Sequence, residues 1–398
     1  MLFCIFPVMA DAPIENPRSE IDAIDGEILR LLNRRAEIAL RVGAVKAEKD
    51  VSLVDPLRES EVLGRLTREN TGPFDSTSIE NIFQRIIDES LALQQSRYHR
   101  SPAGAKANAA IPSVAAASKV GFLGDPGSFS ETAAIGILGD GCDYVSYPTF
   151  EDLYRAIGAD SVEYIISPLE NSLVGSIQRC YDLLAASDLS IVADVILPVT
   201  HFLIAGPDAS LETITTVESH PAALSQCERF FAAHPNLKRI AGDDTAGSVR
   251  RAVESGDSSR AAIGGRRSAV IYGGTILREH IEDHSDNFTR FALLAKTPPD
   301  DTDGGKISLI LRLKNEPGSL HSSLRPFVRR NIDLTKIESR PIKGQPAEFN
   351  FYLDFRAPAN DNDLRGALDD VREQAASVRY LGRYPTILLT NEQINEIS

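Results

Sequence analysis

The 398-residue chain has no tryptophan, two methionines and four cysteines. Cys4, Cys142, Cys180 and Cys227 lie far apart, with no CxxC pair and no Cys/His ligand spacing. A disulfide framework and a zinc site are therefore not expected, and no metal or organic cofactor is indicated. Positive charge is scarce: 42 Lys and Arg against 56 Asp and Glu leave a net charge of −14. That balance argues against non-specific nucleic-acid binding and against an anionic membrane surface, so an anionic ligand must be met by local clusters of Arg and Lys. No apolar run reaches the ~20 residues of a membrane span. Residues 1–9 are apolar but short and have no basic leader, so a signal peptide is not expected and a cytoplasmic protein is. Met9 is an alternative start. What remains is ordinary globular composition, 42% hydrophobic and 25% charged, in a chain long enough for two or three domains.

One stretch concentrates chemistry. Asp286–Phe291, DNFTRF, sets a hydroxyl, Thr289, and a fixed cation, Arg290, between two phenylalanines. A hydroxyl can relay or donate a proton, and a guanidinium can meet a carboxylate.

Residues 15–100 read as helical. Between Glu20 and Lys49, apolar residues from Ile21 to Val45 recur at spacings of three and four, with Ser19 as the expected N-cap. Leu57–Arg68 and Ile79–Tyr98 follow, which makes an all-α bundle. Arg35 and Lys46 are three helical turns apart and point the same way, and Ser90 and Gln94 share a face. Arg18 lies about a quarter turn off the Arg35/Lys46 line, so one helix cannot easily aim all three cations at one pocket. The pattern Arg18, Ile21, Ile24-Asp25, Leu31-Leu32, Arg35, Val42, Lys46, Asp55, Arg58-Glu59, Ser90 and Gln94-Gln95 resembles the all-helical chorismate mutases. The resemblance implies an intertwined dimer in which Arg18 serves the partner's pocket. It also implies Arg18, Arg35 and Arg58 on the two carboxylates of chorismate, Lys46 and Gln94 on the ether oxygen, and Asp55, Glu59 and Ser90 completing the site.

Residues 101–118, rich in Ala, Pro and Ser, read as a linker. Residues 119–297 then alternate short apolar strands with helices, an α/β pattern with a mainly parallel sheet. Polar turns end several strands: Gly124–Ser130, whose N–H groups suit an anion; Pro168–Ser172 with Glu170 and Asn171; Ser219-His220 with Gln226 following; and Asp244-Thr245-Ala246. The segments GFLGDPGSFSE, SPLENSLVGS, THFLIA, SHPAALSQC, DDTA and DNFTRF resemble prephenate dehydratases in order. That likeness implies two lobes akin to a periplasmic binding protein. Thr289 is then the catalytic hydroxyl, Glu170, Asn171, Ser219, His220 and Gln226 surround it, and Arg290 and Phe291 complete its motif.

Residues 305–390 give the order βαββαβ, an α+β ferredoxin-like module, from alternating strands Lys306–Lys314 and Phe349–Phe355 and the elements around them. Asn315, Gly318, Ser319 and Leu320, with Glu338, Ser339, Arg340 and Pro341, resemble the phenylalanine-binding motifs of the ACT regulatory domain; Ser319 stands where that family often has Ala. Together the segments resemble the bifunctional chorismate mutase/prephenate dehydratase family. The expectation is a homodimer or larger homo-oligomer acting on chorismate and prephenate, inhibited by phenylalanine, with no nucleic-acid or membrane partner. The alternative is an amino-acid or solute sensor without catalysis.

Overall fold

The structure, a computed structural model, describes residues 15–48, 55–98, 114–115, 117–297, 304–345 and 347–397. Met9 and most of the expected linker lie outside the described residues. The chain forms two compact units. One holds the N-terminal helices together with Leu324–Ile332 and Ala359–Leu368, and the other holds most of the rest.

The first unit begins with α1 (Glu15–Glu48), α2 (Pro56–Glu69) and α3 (Ser76–Tyr98). Ser19 is not a cap: α1 starts four residues earlier, and Pro17 sits in its first turn, where a missing N–H costs nothing. Asp55 caps α2, its carboxylate accepting from the Arg58 N–H (3.2 Å), with Pro56 as the first helical residue. Along α1 the apolar row Ile21, Ile24, Ile28, Leu31, Ile38, Val42 and Val45 is 46% to 57% exposed.

The second unit runs β1 (Lys119–Leu123), α4 (Phe129–Leu138), β2 (Asp143–Tyr147), α5 (Phe150–Gly158), β3 (Tyr164–Asn171), β4 (Gly175–Ser176), α6 (Gln178–Ala186) and β5 (Ser190–Pro198). These make a first lobe. The chain then crosses to a second lobe: β6 (Phe202–Ala205), β7 (Thr216–Ser219), α7 (Pro221–Ser225), α8 (Glu228–Ala233), β8 (Lys238–Ala241), α9 (Thr245–Glu254), β9 (Arg260–Gly264), α10 (Arg266–Tyr272) and β10 (Thr275–Arg278). It returns as β11 (Phe288–Ala295), in the middle of the first sheet. Then come β12 (Lys306–Arg312), α11 (Ser319–Arg329), β13 (Leu334–Pro341), β14 (Phe349–Arg356), α12 (Asp361–Gln374), β15 (Ser377–Tyr384), β16 (Thr386–Leu388) and α13 (Asn391–Ile397), of which the end of α11 from Leu324 and the start of α12 to Leu368 group with the first unit.

The first-lobe sheet has the order β16-β5-β11-β3-β1-β2, and the second-lobe sheet β10-β6-β9-β7-β8. Both are mixed, not mainly parallel. β1 runs parallel to β2 and β3, but β11 is antiparallel to β3 and β5, and β6 is antiparallel to β9 and β10. The cause is the double crossing: a strand that returns from the second lobe enters the first sheet from the opposite end. The third sheet, β13-β14-β12-β15, is antiparallel throughout, with the strand order of a ferredoxin-like fold.

β11 separates two cores. Phe291 and Leu293 pack with Val120, Phe122 and Ile166, whereas Ala292 and Leu294 pack with Ile165, Tyr352 and Tyr384. Successive residues of this strand therefore serve opposite faces.

Candidate functional site

Thr289 is the second residue of β11, just past the crossing between lobes. Its register partner on β3 is Asn171, so the two side chains share a face. The Asn171 amide donates to Thr289 Oγ1 (3.0 Å), to Asn287 Oδ1 (2.8 Å) and to the Phe288 carbonyl (3.1 Å). Its own oxygen accepts from the N–H groups of Leu173 and Val174, both at 3.0 Å, which fixes the amide orientation. The chain of bonds continues into the second lobe: Asn287 donates to Gln226 Oε1 (3.1 Å), and the same oxygen lies 2.7 Å from His201 Nε2. Asn171, Asn287, Thr289 and His201 are all buried. Burial holds the His201 imidazole below its ordinary pKa of 6.5, with the bond to Gln226 working in the opposite sense. A neutral His201 then donates through Nε2. Because Thr289 Oγ1 accepts from Asn171, its own hydrogen is the one it can pass on. Sequence reasoning named Thr289, Asn171 and Gln226 but missed His201 and Asn287; both stand inside segments already noted, THFLIA and DNFTRF, and only the fold joins them.

Arg290 requires a correction. It is paired across the sheet with Glu170 and faces away from Thr289. Its guanidinium donates to Asp194 (2.8 Å), Asp354 (2.6 Å) and the Tyr384 hydroxyl (3.1 Å). Lys306 meets both carboxylates, at 2.9 and 3.4 Å, and Ser308 and Tyr384 close the cluster. Asp194 is wholly buried, so its charge must be met by the chain, and the strand that carries Thr289 supplies the cation. Burial pushes the Asp354 carboxyl up, but Arg290 and Lys306 outweigh it and hold the group below the usual value of 3.8. Arg290 joins the dehydratase sheet to the C-terminal module and does not line the Thr289 site. Phe291 is likewise core, 2% exposed among Val120 and Phe122. Glu170 also points to the Arg290 face, where Lys336 of β13 donates to it at 2.7 Å.

Other expected site residues have local roles. Ser219 donates to the Ile263 carbonyl (2.7 Å) and is fully buried; His220 Nδ1 caps α7 by accepting from the Ala222 N–H (3.2 Å). In the Gly124–Ser130 turn, the N–H groups of Asp125 and Gly127 are already taken by carboxylates of the chain. Asp125 N–H donates to Asp244 (2.9 Å), which itself caps α9, and Gly127 N–H donates to Glu131 (2.7 Å). The cap of α4 is Ser128. This turn fastens the lobes: Arg250 pairs with Asp125 and Arg267 with Glu131, both at 2.9 Å.

In the helical unit, Arg35 of α1 donates to Ser90 Oγ (2.5 Å) and to the Ile86 carbonyl (3.3 Å) of α3. Gln94 of α3 donates back to the Ala39 carbonyl (2.5 Å). The expected Arg35, Ser90 and Gln94 are thus brought to one α1–α3 contact, and burial lowers the pKa of Arg35. Lys46 lies 3.6 Å from Asp55. Arg58 turns to Glu61 (3.0 Å), Glu59 meets Arg329, and Arg18 is exposed. In the C-terminal module, Asn315 and Gly318 occupy an exposed turn; Gly318 has φ +84°, a conformation that excludes most side chains. Leu320 is 37% exposed, and Ser319 Oγ donates to the Glu316 carbonyl (2.8 Å). On β13, Glu338 and Arg340 point inward to Ser176 and Asp182, while Ser339 and Pro341 are exposed.

A helical unit with a guanidinium and an amide set between two helices, and a two-lobed α/β unit with a buried hydroxyl at its crossing, give the chain two candidate sites, one in each unit. The family profiles agree: chorismate mutase type II matches residues 17–95 and prephenate dehydratase matches residues 120–299. The bifunctional chorismate mutase/prephenate dehydratase of Neisseria gonorrhoeae is 34% identical over 94% of this chain and 97% of its own. Among solved structures, prephenate dehydratase from Arthrobacter aurescens in complex with L-Phe has a TM-score of 0.62 at 28% identity, covering 67% of this chain and 89% of that one. A quorum-quenching acylase has the same TM-score at 27% identity, covering 67% of this chain and 98% of that one. This chain belongs to the bifunctional chorismate mutase/prephenate dehydratase family. It is an enzyme with both activities, and nothing supports the sensor alternative. Among the described residues no helix is long and apolar enough to cross a membrane.

Proposed function

We propose that Thr289 is the proton donor of the dehydratase reaction and Asn171 the residue that orients it. Prephenate must lose its ring hydroxyl as water and its ring carboxylate as CO2. The C–C bond electrons enter the ring as the C–O bond breaks, and phenylpyruvate results. Protonating the leaving hydroxyl is the difficult part, and a positioned donor contributes roughly two to four powers of ten. The observation that carries this reading is the 3.0 Å bond from the Asn171 amide to Thr289 Oγ1, which leaves the threonine hydrogen to donate and polarises it. Gln226 and His201 hold the far end of the chain in place. Glu170 adjoins Asn171 and acts through it, and Ser219 and His220 support the second-lobe strand end.

In the helical unit, the reading is that Arg18, Arg35 and Arg58 hold the carboxylates of chorismate while Lys46 and Gln94 stabilise charge growing on the ether oxygen, with Asp55, Glu59 and Ser90 around them. A guanidinium has five donors, so the bonds of Arg35 to Ser90 and Ile86 leave capacity for a carboxylate. The half-exposed apolar row of α1 is suited to a second copy of the chain, and the exposed Arg18 to that copy's site.

The C-terminal module reads as an ACT domain taking phenylalanine at Asn315, Gly318, Ser319 and Leu320 with Glu338–Pro341. The Arthrobacter relative with L-Phe supports that ligand. The enzyme then acts in the cytoplasm as a homo-oligomer, in domains near residues 15–100, 119–297 and 305–390. Supplying chorismate to the purified chain tests the whole: phenylpyruvate forms, its yield falls as phenylalanine is added, and light scattering gives at least a dimer. A monomer with full mutase turnover contradicts the shared-site reading.

A further inference from the structure

We propose that Lys336, on the regulatory module, is a positioning residue for the dehydratase site. Its ammonium donates to Glu170 Oε2 (2.7 Å) and to Ser176 Oγ (3.2 Å) and lies 5.2 Å from the centre of the Tyr181 ring. Glu170 and Ser176 are register partners on β3 and β4, so one lysine closes the open end of that hairpin. The hairpin is where the Thr289 site is set: the residue after Glu170 is Asn171, which holds Thr289. Lys336 side-chain exposure is 13%. A lysine this enclosed, with an acceptor on each side, fixes geometry more tightly than a solvated pair does.

The strand gives Lys336 its context. Side chains at alternate positions of β13 share a face, so Lys336, Glu338 and Arg340 all point toward the dehydratase. Glu338 accepts from Ser176 Oγ (2.9 Å), and Arg340 donates to Asp182 on α6 at 3.1 to 3.3 Å. An amino-acid ligand brings an ammonium, which needs an acceptor, and a carboxylate, which needs a donor. Glu338 and Arg340 are that acceptor and donor, and each is engaged with the dehydratase, through Ser176 and Asp182. A ligand drawing on either releases Ser176 or Asp182 and shifts the hairpin that Lys336 holds. This rests on the reading of the module as the phenylalanine site, and it assigns Lys336 the link from that site to Asn171.

The test uses the full-length chain with Lys336→Met and Lys336→Arg, each alone and combined with Glu170→Gln. Dehydratase kcat and KM, phenylalanine inhibition and mutase turnover are measured on the same samples. Lys336→Met is expected to lower dehydratase kcat about tenfold, ~1.4 kcal/mol in the barrier, with KM changed less than about threefold. It is expected to blunt phenylalanine inhibition and to leave mutase turnover unchanged. Lys336→Arg keeps the charge and recovers most of kcat. In the Glu170→Gln background, Lys336→Met should have less than about a third of its effect, because the two changes break one interaction. A Lys336→Met chain that also loses mutase turnover is misfolded. Lys336→Gln then decides: the same tenfold loss supports the role, and wild-type kcat overturns it. An active wild-type chain whose Lys336→Met variant is equally active and equally inhibited overturns the positioning role alone. A wild-type chain inhibited by no amount of phenylalanine, with Lys336→Met still slow, overturns the regulatory link and keeps the positioning.

Discussion

Replacing Arg290 with Met separates a structural cation from a substrate-binding one. The change removes the donors to Asp194, Asp354 and Tyr384 and leaves two carboxylates, with side chains 0% and 7% exposed, facing the Lys306 cation, with Ser308 still donating to Asp354. Breaking a buried ion pair by deleting one partner costs about 3–5 kcal/mol, because the remaining charge stays desolvated. For a unit of this size each kcal/mol moves Tm by about 2–4 °C, so the dehydratase transition should fall by about 6–20 °C. Scanning calorimetry of the full chain reads it, with the helical unit's transition scored separately because a multidomain chain does not unfold in one step. Arg290→Met combined with Asp354→Leu should recover part of the loss. The acid side gives a second reading. The Asp354 carboxyl sits below 3.8 in the folded chain, so the stability it contributes is present above that value and is lost as pH falls through the lower, folded one. In Arg290→Met that acid-side loss should shrink. A Tm within about 2 °C of wild type, together with a raised KM for prephenate, would refute the reasoning and return Arg290 to the substrate.

Three further outcomes follow from the same geometry. Gly127 has φ +85°, and a Cβ there would lie 2.7 Å from the Ser268 Cα, so Gly127→Ala should cost about 2–4 kcal/mol and raise dehydratase KM by displacing one lobe from the other, measurable by Tm and initial rates. The unfolded chain protonates His201 near 6.5 and the folded chain only at lower pH, so the His201 contribution to stability is full above 6.5 and declines below it; His201→Gln should flatten that part of the melting-temperature profile. Asn171→Ala should reduce dehydratase kcat by about a hundredfold, a loss of orientation and of one buried donor, while mutase turnover holds; a loss under about threefold would contradict the orienting role.

How much was legible in the sequence depended on how local the cause was. The long period-3.6 row of α1 and the alternation of β12 and β14 announced themselves, and Thr289 and Asn171 stood out as candidates because both lie in short polar runs at strand ends; the structure places them in one hydrogen-bonded pair. Arg290 misled because the sequence shows only that it adjoins Thr289. That it faces the other side follows from strand alternation, and that it is neutralised there follows from Asp194 and Asp354, 96 and 64 residues away. The mixed sheets were missed for a related reason: strand direction is set by the path between lobes, which propensity does not encode. β16 spans three residues and carries no periodic signal, yet it pairs with β5 and places α13 beside α4. Nothing local marks Lys336, whose partners Glu170 and Ser176 lie 166 and 160 residues away.

The Thr289 hydroxyl is the centre of the proposed dehydratase chemistry. The direct test supplies chorismate to the full-length Thr289→Val chain and follows chorismate, prephenate and phenylpyruvate together. The expected result is chorismate consumed at the wild-type rate, prephenate accumulating nearly mole for mole, and phenylpyruvate formed at less than about a hundredth of the wild-type rate. Phenylpyruvate at more than about a tenth of that rate would contradict Thr289 as the proton donor.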